Sequence, residues 1–549
     1  MPNRGEQLHN KIKHQLTRII SETNGISIND TIELLLYSPK IKNDQLLEKN
    51  FSEFKKLLNA FQLDEVDIET VLQTPVSKAL KEFFKEFPLK YHEEHIHLTG
   101  SLSAEFIYPR IKKLLSGKNK KLYEEKIIEV YGKEALPIES VEDVKKLITL
   151  QEGEHFKTYL RILYLAKLIL NSKKAHEEAA YHMANELYHK FNVGKIRLKF
   201  TLSRSTSMSS EKIPGADDLT EEDVVLGLYT GFKRFQEKNE DFDFILSPSF
   251  RKELNFFDKE NFKTKEDHFL QQVDKILEIR EKFPDVGQYI QEVDTVGDER
   301  ELYRKAHFSQ LRSGLRKLQF NGLKIRSHHG ETWKNLRRGV QSVDNAMNIW
   351  HIDTLEHGLS LGINPNYYFH RIFQKVIDKN QQGIAIAPNT EEAYELEDMV
   401  WESPKILNKL LKGTPLNEDE EKSLIKTKFH TAREIEHYQH DVLNRMINKK
   451  VGLVALPSSN MKLTECFPDY KDHPFSWWEK KGVKLGVGTD NYITLDTDYL
   501  KELLILLYSD PDNLKITKLL MVATREDRRP YISNLLWEMR KKSIEENND

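Results

Sequence analysis

The run His95-Ile96-His97-Leu98-Thr99-Gly100-Ser101-Leu102 places two imidazoles two residues apart at the end of a short apolar stretch. On a β-strand, residues i and i+2 project from the same face, so His95 and His97 point together. Three further motifs end apolar runs in the same way: Ser327-His328-His329-Gly330-Glu331, Leu355-Glu356-His357-Gly358 and Gly488-Thr489-Asp490-Asn491. Histidine and carboxylate ligands gathered at strand ends, with a Glu and a further His beside them, equip a chain to hold one hydrolytic metal ion and to move protons next to it.

Working outward from these motifs, eight strand candidates cover residues 93–98, 195–202, 243–248, 289–296, 322–328, 353–357, 451–456 and 483–488. Long amphipathic stretches separate most of them, the pattern of parallel strands joined by helical crossovers. Eight such units predict an α/β fold of the (β/α)8 TIM-barrel type, whose catalytic residues sit at the C-terminal strand ends. The four motifs fall at the ends of strands one, five, six and eight. Residues 1–88 read as a helical N-terminal extension, with Leu8, Ile12, Leu16 and Ile19, then Phe51, Phe54, Leu58 and Phe61, at helical spacing. Residues 89–549 form the expected catalytic domain, with an insertion at about 366–448 between strands six and seven. GIAIAPNT (383–390) competes for the place of strand seven. LVALPSSN (453–460) is preferred, because it leads through one helix, HPFSWWEKKG, into strand eight.

The formal net charge of −3, with acids and bases interspersed, gives no field favouring nucleic acid or a membrane surface. The apolar runs are too short to span a bilayer, and the first residues are polar rather than signal-like. The single cysteine, Cys466, excludes an intramolecular disulfide and any multi-thiolate metal site. It fits a reducing, cytoplasmic setting. A metal must therefore be held by histidine and carboxylate. His95, His97, His328 and Asp490 are the expected ligands; the set suits Zn²⁺, with Fe²⁺, Co²⁺ or Mn²⁺ as alternatives. Glu331, after the flexible Gly330, is placed to act on substrate, and His357 to orient water. His329 should face outward as a structural residue, and His430, His437 and His440 lie on a helical, solvated stretch.

HIHLTGSL, SHHGE, LEHG, PSSN and GTDN, in this order, resemble the adenosine deaminase family of the metal-dependent amidohydrolase superfamily over roughly residues 89–540. VDTVGDE (293–299) and LDTDY (495–499) extend the resemblance. It implies a zinc-dependent hydrolase in which water attacks C6 of an adenine ring and ammonia leaves, giving the inosine form. It also implies that His95, His97, His328 and Asp490 bind the metal and that Glu331 protonates purine N1. His357 and Asp490 would orient and deprotonate the water, and the Gly297 N–H would donate to N3.

Two positions depart from the family pattern. Thr99 stands where the family has an Asp near the ribose 5′-hydroxyl, and Asn491 stands where it has an Asp contacting N7. Both changes remove negative charge, and a neutral hydroxyl at 99 tolerates a 5′-phosphate that a carboxylate would repel. The expected substrate is thus an adenine nucleoside or nucleotide, with preference for a 5′-phosphorylated one. Arg204 in Ser203–Ser207 is a candidate phosphate contact, beside the bland reading of a solvated loop; the same holds for Lys112, Lys113, Lys118, Lys120 and Lys121. The competing readings are a hydrolase of a different ring amine and a non-catalytic nucleotide-binding sensor. No membrane or nucleic-acid partner is expected, and the N-terminal extension and the insertion are candidates for building a homo-oligomer.

Overall fold

The computed structural model describes residues 4–545, apart from 152, 155–158, 160, 203–212, 217 and 465–468. Arg204 and Cys466 therefore lie outside the described residues. The strands are β1 Tyr91–His97, β2 Val193–Thr201, β3 Asp243–Arg251, β4 Glu292–Val296, β5 Lys324–His329, β6 Thr354–His357, β7 Gly452–Ala455 and β8 Lys484–Val487. They pair in sequence order, every neighbour parallel. Helices connect them, as the right-handed crossover of a βαβ unit requires. This is the expected (β/α)8 barrel.

The seam between first and last strands is closed by the site itself. Ile96 bridges to Asp490; the His97 N–H donates to the Asp490 carbonyl at 2.7 Å, and the Asp490 N–H to the His95 carbonyl at 2.9 Å. Two segments carrying expected ligands are thus tied together by backbone before any side chain acts.

Between β6 and β7 run four helices: Pro365–Gln381, Glu391–Asp398, Pro404–Lys412 and the long Glu418–Asn448. Residues 384–387 of GIAIAPNT form no strand, and Gly452–Ala455 takes the seventh place. One detail differs from the sequence reading: two helices, Pro457–Leu463 and Phe475–Lys480, rather than one, lead from β7 to β8. Pro457 is the reason, since its fixed φ suits the first turn of a helix and starts one directly after the strand. Ser459 and Asn460 are thereby held on a helical turn at the barrel mouth.

The helices of residues 4–85 share one continuous hydrophobic core with the barrel. Phe54 meets Tyr508 edge-on at 5.7 Å, and the Tyr508 hydroxyl lies 2.8 Å from Ser77 Oγ. Tyr91, at the start of β1, stacks between Phe87 and Tyr499. Burying each such ring stabilises by ~1.5–3 kcal/mol. Among the described residues no helix is long and apolar enough to cross a membrane.

Candidate metal centre and proton-transfer site

His95 Nε2 and His97 Nε2 lie 3.2 Å apart, and His97 Nε2 and His328 Nε2 3.4 Å. Asp490 Oδ1 stands 3.6 Å from His95 Nε2 and 3.5 Å from His97 Nε2. The opposite ring nitrogens are already committed: His95 Nδ1 donates to Glu356 Oε2 at 2.8 Å, and His328 Nδ1 to the Asp294 carboxylate at 3.2 Å. With Nδ1 carrying the hydrogen, the Nε2 atoms of His95 and His328 present bare lone pairs to the centre. Burial also pushes the pKa of His95, His97 and His328 well below the ordinary imidazole value, which keeps them neutral. Facing lone pairs repel unless a cation lies between them. A tetrahedral ion with bonds of about 2.0–2.1 Å sets its donors roughly 3.3–3.4 Å apart, close to the spacing found here. The donor types suit a zinc-like ion: His95, His97 and Asp490 form one candidate triad, and His328 adjoins it through His97 Nε2.

Behind the ligands the barrel interior is charged. Lys199, fully buried on β2, pairs with Asp294 and with Glu356, each at 3.1 Å. Arg326 on β5 pairs with Glu356 Oε1 at 2.5 Å. Burial alone would raise the Glu356 carboxyl, but Arg326 and Lys199 hold it down at about 2. The carboxylate that orients His95 is therefore ionised throughout the neutral range.

Gly330 turns the chain after β5 at φ +68°, where an added Cβ would lie 2.5 Å from Ser360 Oγ. The buried Glu299 accepts from the N–H groups of Gly330 (3.0 Å), Glu331 (2.6 Å) and Thr332 (2.9 Å), which fixes that turn. Lys252 donates to the His328 carbonyl. The Glu331 side chain then faces the site, and burial pushes its carboxyl up to about 8. His357 Nδ1 lies 2.9 Å from Asn460 Oδ1. An amide oxygen accepts, so Nδ1 carries the hydrogen and Nε2 is bare. Among the described residues that buried Nε2 has no hydrogen-bond partner, and it sits 3.7 Å from Glu331 Oε2. Asp490 accepts from Ser459 Oγ at 2.6 Å, and burial raises its carboxyl to about 6. His357 and Asp490 both adopt left-handed backbone, at φ +69° and +59°, an uncommon state for such residues that clusters at functional sites.

The remaining expected residues are placed as follows. Thr99 is half-buried in the turn after β1. The Asn491 amide donates to Asp490 Oδ1 at 2.6 Å and to the Tyr159 hydroxyl, so it is engaged beside the ligand cluster. Gly297 follows β4 at φ +100°, packed against the Glu253 carboxylate. Lys112, Lys113, Lys118, Lys120 and Lys121 are exposed on or beside helices Ala104–Ser116 and Lys120–Tyr131. His329 faces outward between Phe308 and Trp350 and donates toward Glu299 or Ser342. His430 and His437 are exposed, whereas His440 is half-buried edge-on to Trp477, a correction to its solvated reading. The bulky Trp477, on helix Phe475–Lys480, shields that ring.

The sequence reading gave no role to Lys199 or Tyr159, nor to Asp294, Glu356, Ser459 and Asn460, which it quoted only within VDTVGDE, LEHG and PSSN. A signal existed for some: Lys195, Arg197 and Lys199 alternate along β2, as do Glu292 and Asp294 on β4 and Arg326 and His328 on β5. Ionisable groups at every second position of a barrel strand point into the barrel.

No family model matches the chain, and no curated protein matches it. Solved structures do. An adenine deaminase from Arthrobacter aurescens aligns at 13% identity and TM-score 0.49, over 82% of this chain and 99% of that one. The apo N6-methyl-AMP deaminase of Arabidopsis thaliana aligns at 13% identity and TM-score 0.47, over 85% and 99%. A zinc-bound amidohydrolase from Burkhoderia ambifaria aligns at 12% identity and TM-score 0.45, over 84% and 94%. The eight-stranded barrel is established by this chain's own strand order.

Proposed function

We propose that this protein is a metal-dependent hydrolase that deaminates an adenine nucleoside or nucleotide at C6. The observation that carries the reading is the approach of His97 Nε2 to the Nε2 atoms of His95 and His328, and of Asp490 Oδ1 to His95 and His97, all at 3.2–3.6 Å, beside the raised Glu331 carboxyl. A divalent ion held by His95, His97, His328 and Asp490 supplies Lewis-acid chemistry that makes water nucleophilic near neutral pH. Glu331, protonated at pH 7, carries a proton to purine N1 and makes C6 a better electrophile. His357, with Nε2 bare, accepts a proton from the attacking water, and Asp490 helps to orient it. The C6–O bond forms as water gives one proton to His357; that proton passes to N6, the C6–N6 bond breaks and ammonia leaves, while the 6-hydroxyl proton returns to Glu331 and the N1 proton stays on the ring as C6=O forms. Gly297 and Asn491 are the assigned contacts to the purine.

Thr99 supports a preference for a 5′-phosphorylated substrate, because a neutral half-buried hydroxyl does not repel a phosphate. Zinc is the ion best suited to the donor set. The test is ammonia release by purified, zinc-loaded protein on adenosine, deoxyadenosine, AMP, dAMP, ATP and dATP, with Glu331→Gln as the blank. Turnover of a phosphorylated member is expected. Turnover of adenosine far above every nucleotide would overturn the phosphate preference, and silence across the panel with metal bound would overturn the adenine assignment.

A further inference from the structure

At the end of the barrel opposite the metal centre, a cavity of about 150 Å³ opens among the strand starts. One bridging water needs ~10–15 Å³, so the space exceeds what a few waters fill. Gly452 on β7 and Gly486 on β8 line it without side chains to close it. Six cations line it: Arg197, Lys324, Arg326, Lys450, Lys484 and Arg525. Against them stand three carboxylates, Glu94, Glu292 and Asp353, which leave three positive charges in excess.

The pairing pattern locates that excess. The guanidiniums are paired with carboxylates: Arg197 lies 2.9 Å from Glu94 and 2.5 Å from Glu292, Arg326 lies 2.5 Å from Glu356 behind the cavity wall and 3.5 Å from Glu94, and Arg525 lies 3.8 Å from Glu94. Asp353 accepts from the Ile325 N–H at 2.8 Å. Lys324, Lys450 and Lys484 form no ion pair among the described residues, and all three are exposed at the rim. Two of the cations are delivered from left-handed backbone, Lys450 at φ +58° and Arg525 at φ +55°, each just beyond a helix. Glycine or asparagine is the usual choice there. Three exposed ammonium groups over a floor of ion-paired guanidiniums form a concave cationic cradle, the arrangement that concentrates a multivalent anion.

We propose that this basal cavity binds a small polyanion with adjacent phosphate groups, either an inorganic polyphosphate or the phosphate chain of a nucleotide. The site is separate from the barrel mouth and does not depend on the deaminase assignment.

Calorimetric titration of the full-length, metal-loaded protein with inorganic tripolyphosphate at low ionic strength tests it. One equivalent is expected to bind, with affinity falling as salt rises. Lys450→Glu and Lys484→Glu should each weaken binding at least tenfold. Both side chains are exposed, and circular dichroism checks the fold; Lys484→Gln, expected to weaken binding less, replaces any reversal that fails to fold. Thr99→Asp, at the opposite end, should leave tripolyphosphate binding unchanged. Competition by a nucleoside triphosphate would point to a nucleotide ligand, and lack of competition to the free polyphosphate; either supports the site. Absence of binding to the wild type, or binding indifferent to charge at 450 and 484, overturns the proposal.

Discussion

The Nδ1 of His95 lies 2.8 Å from Glu356 Oε2, with both side chains fully buried. The other Glu356 oxygen receives Arg326 and Lys199. One carboxylate thus sets the tautomer of an assigned ligand and pairs with two interior cations, Lys199 being shared with Asp294. Glu356→Ala should lower folding stability by about 3–5 kcal/mol, the cost of leaving a buried charge unpaired. It should also reduce metal affinity ~10–100-fold. Denaturant unfolding of the apo protein and metal titration measure the two effects separately; an unchanged metal affinity would show that His95 is not a ligand.

Asp490 supplies the one carboxylate of the assigned donor set. Asp490→Ala should abolish stoichiometric metal binding and turnover, as read by elemental analysis of the purified variant. The backbone bonds that close the barrel through residue 490 do not involve the deleted group, so the fold should persist by circular dichroism. Wild-type metal content would sink the assignment.

Glu331 sets a pH limit. Burial raises its carboxyl to about 8, so the acid form persists at neutral pH and is lost as pH rises through 8. Turnover at low substrate should fall about tenfold per pH unit above that point. Glu331→Gln should retain metal and lose activity, since an amide does not transfer the proton. A variant still active at a tenth of the wild-type rate would remove Glu331 from the proton path.

Thr99→Asp should move preference toward unphosphorylated nucleosides. The expected readout is a lower kcat/KM for the nucleotide relative to adenosine, by about tenfold or more for a carboxylate introduced beside a phosphate in a partly buried site. An unchanged ratio would place the 5′-phosphate elsewhere.

Phe54, fully buried, joins the N-terminal helices to Tyr508 of the barrel. Phe54→Ala should cost ~3–5 kcal/mol, measured by chemical denaturation, while the metal stoichiometry of the folded protein stays the same. A loss below about 1 kcal/mol would mean that this contact adds little to the shared core.

The barrel was legible because its strands are short apolar runs that recur between amphipathic stretches, and because four of them end in ionisable motifs. Competition between GIAIAPNT and LVALPSSN for the seventh place was decided by chain direction, and the fold agrees, with Gly452–Ala455 as β7. The connection after β7 was misread as one helix because Pro457 opens a second helix at once. Local pattern alone does not tell a proline that ends a strand from one that begins a helix.

His95, His97, His328, Glu331, His357 and Asp490 were identifiable by residue type and by position at strand ends, information carried by a few neighbouring residues. Their working states were not. That Glu356 and Asp294 orient His95 and His328, that Asn460 leaves His357 Nε2 bare, and that burial raises Glu331 all depend on groups from other strands. The cationic cavity likewise joins residues from Glu94 to Arg525. Which side chains the strand ends carry follows from residue order; their tautomers, charges and partners arise in the closed barrel. Periodicity is written in local covalent order, whereas electrostatics depends on distance and burial, which exist only once the chain has folded.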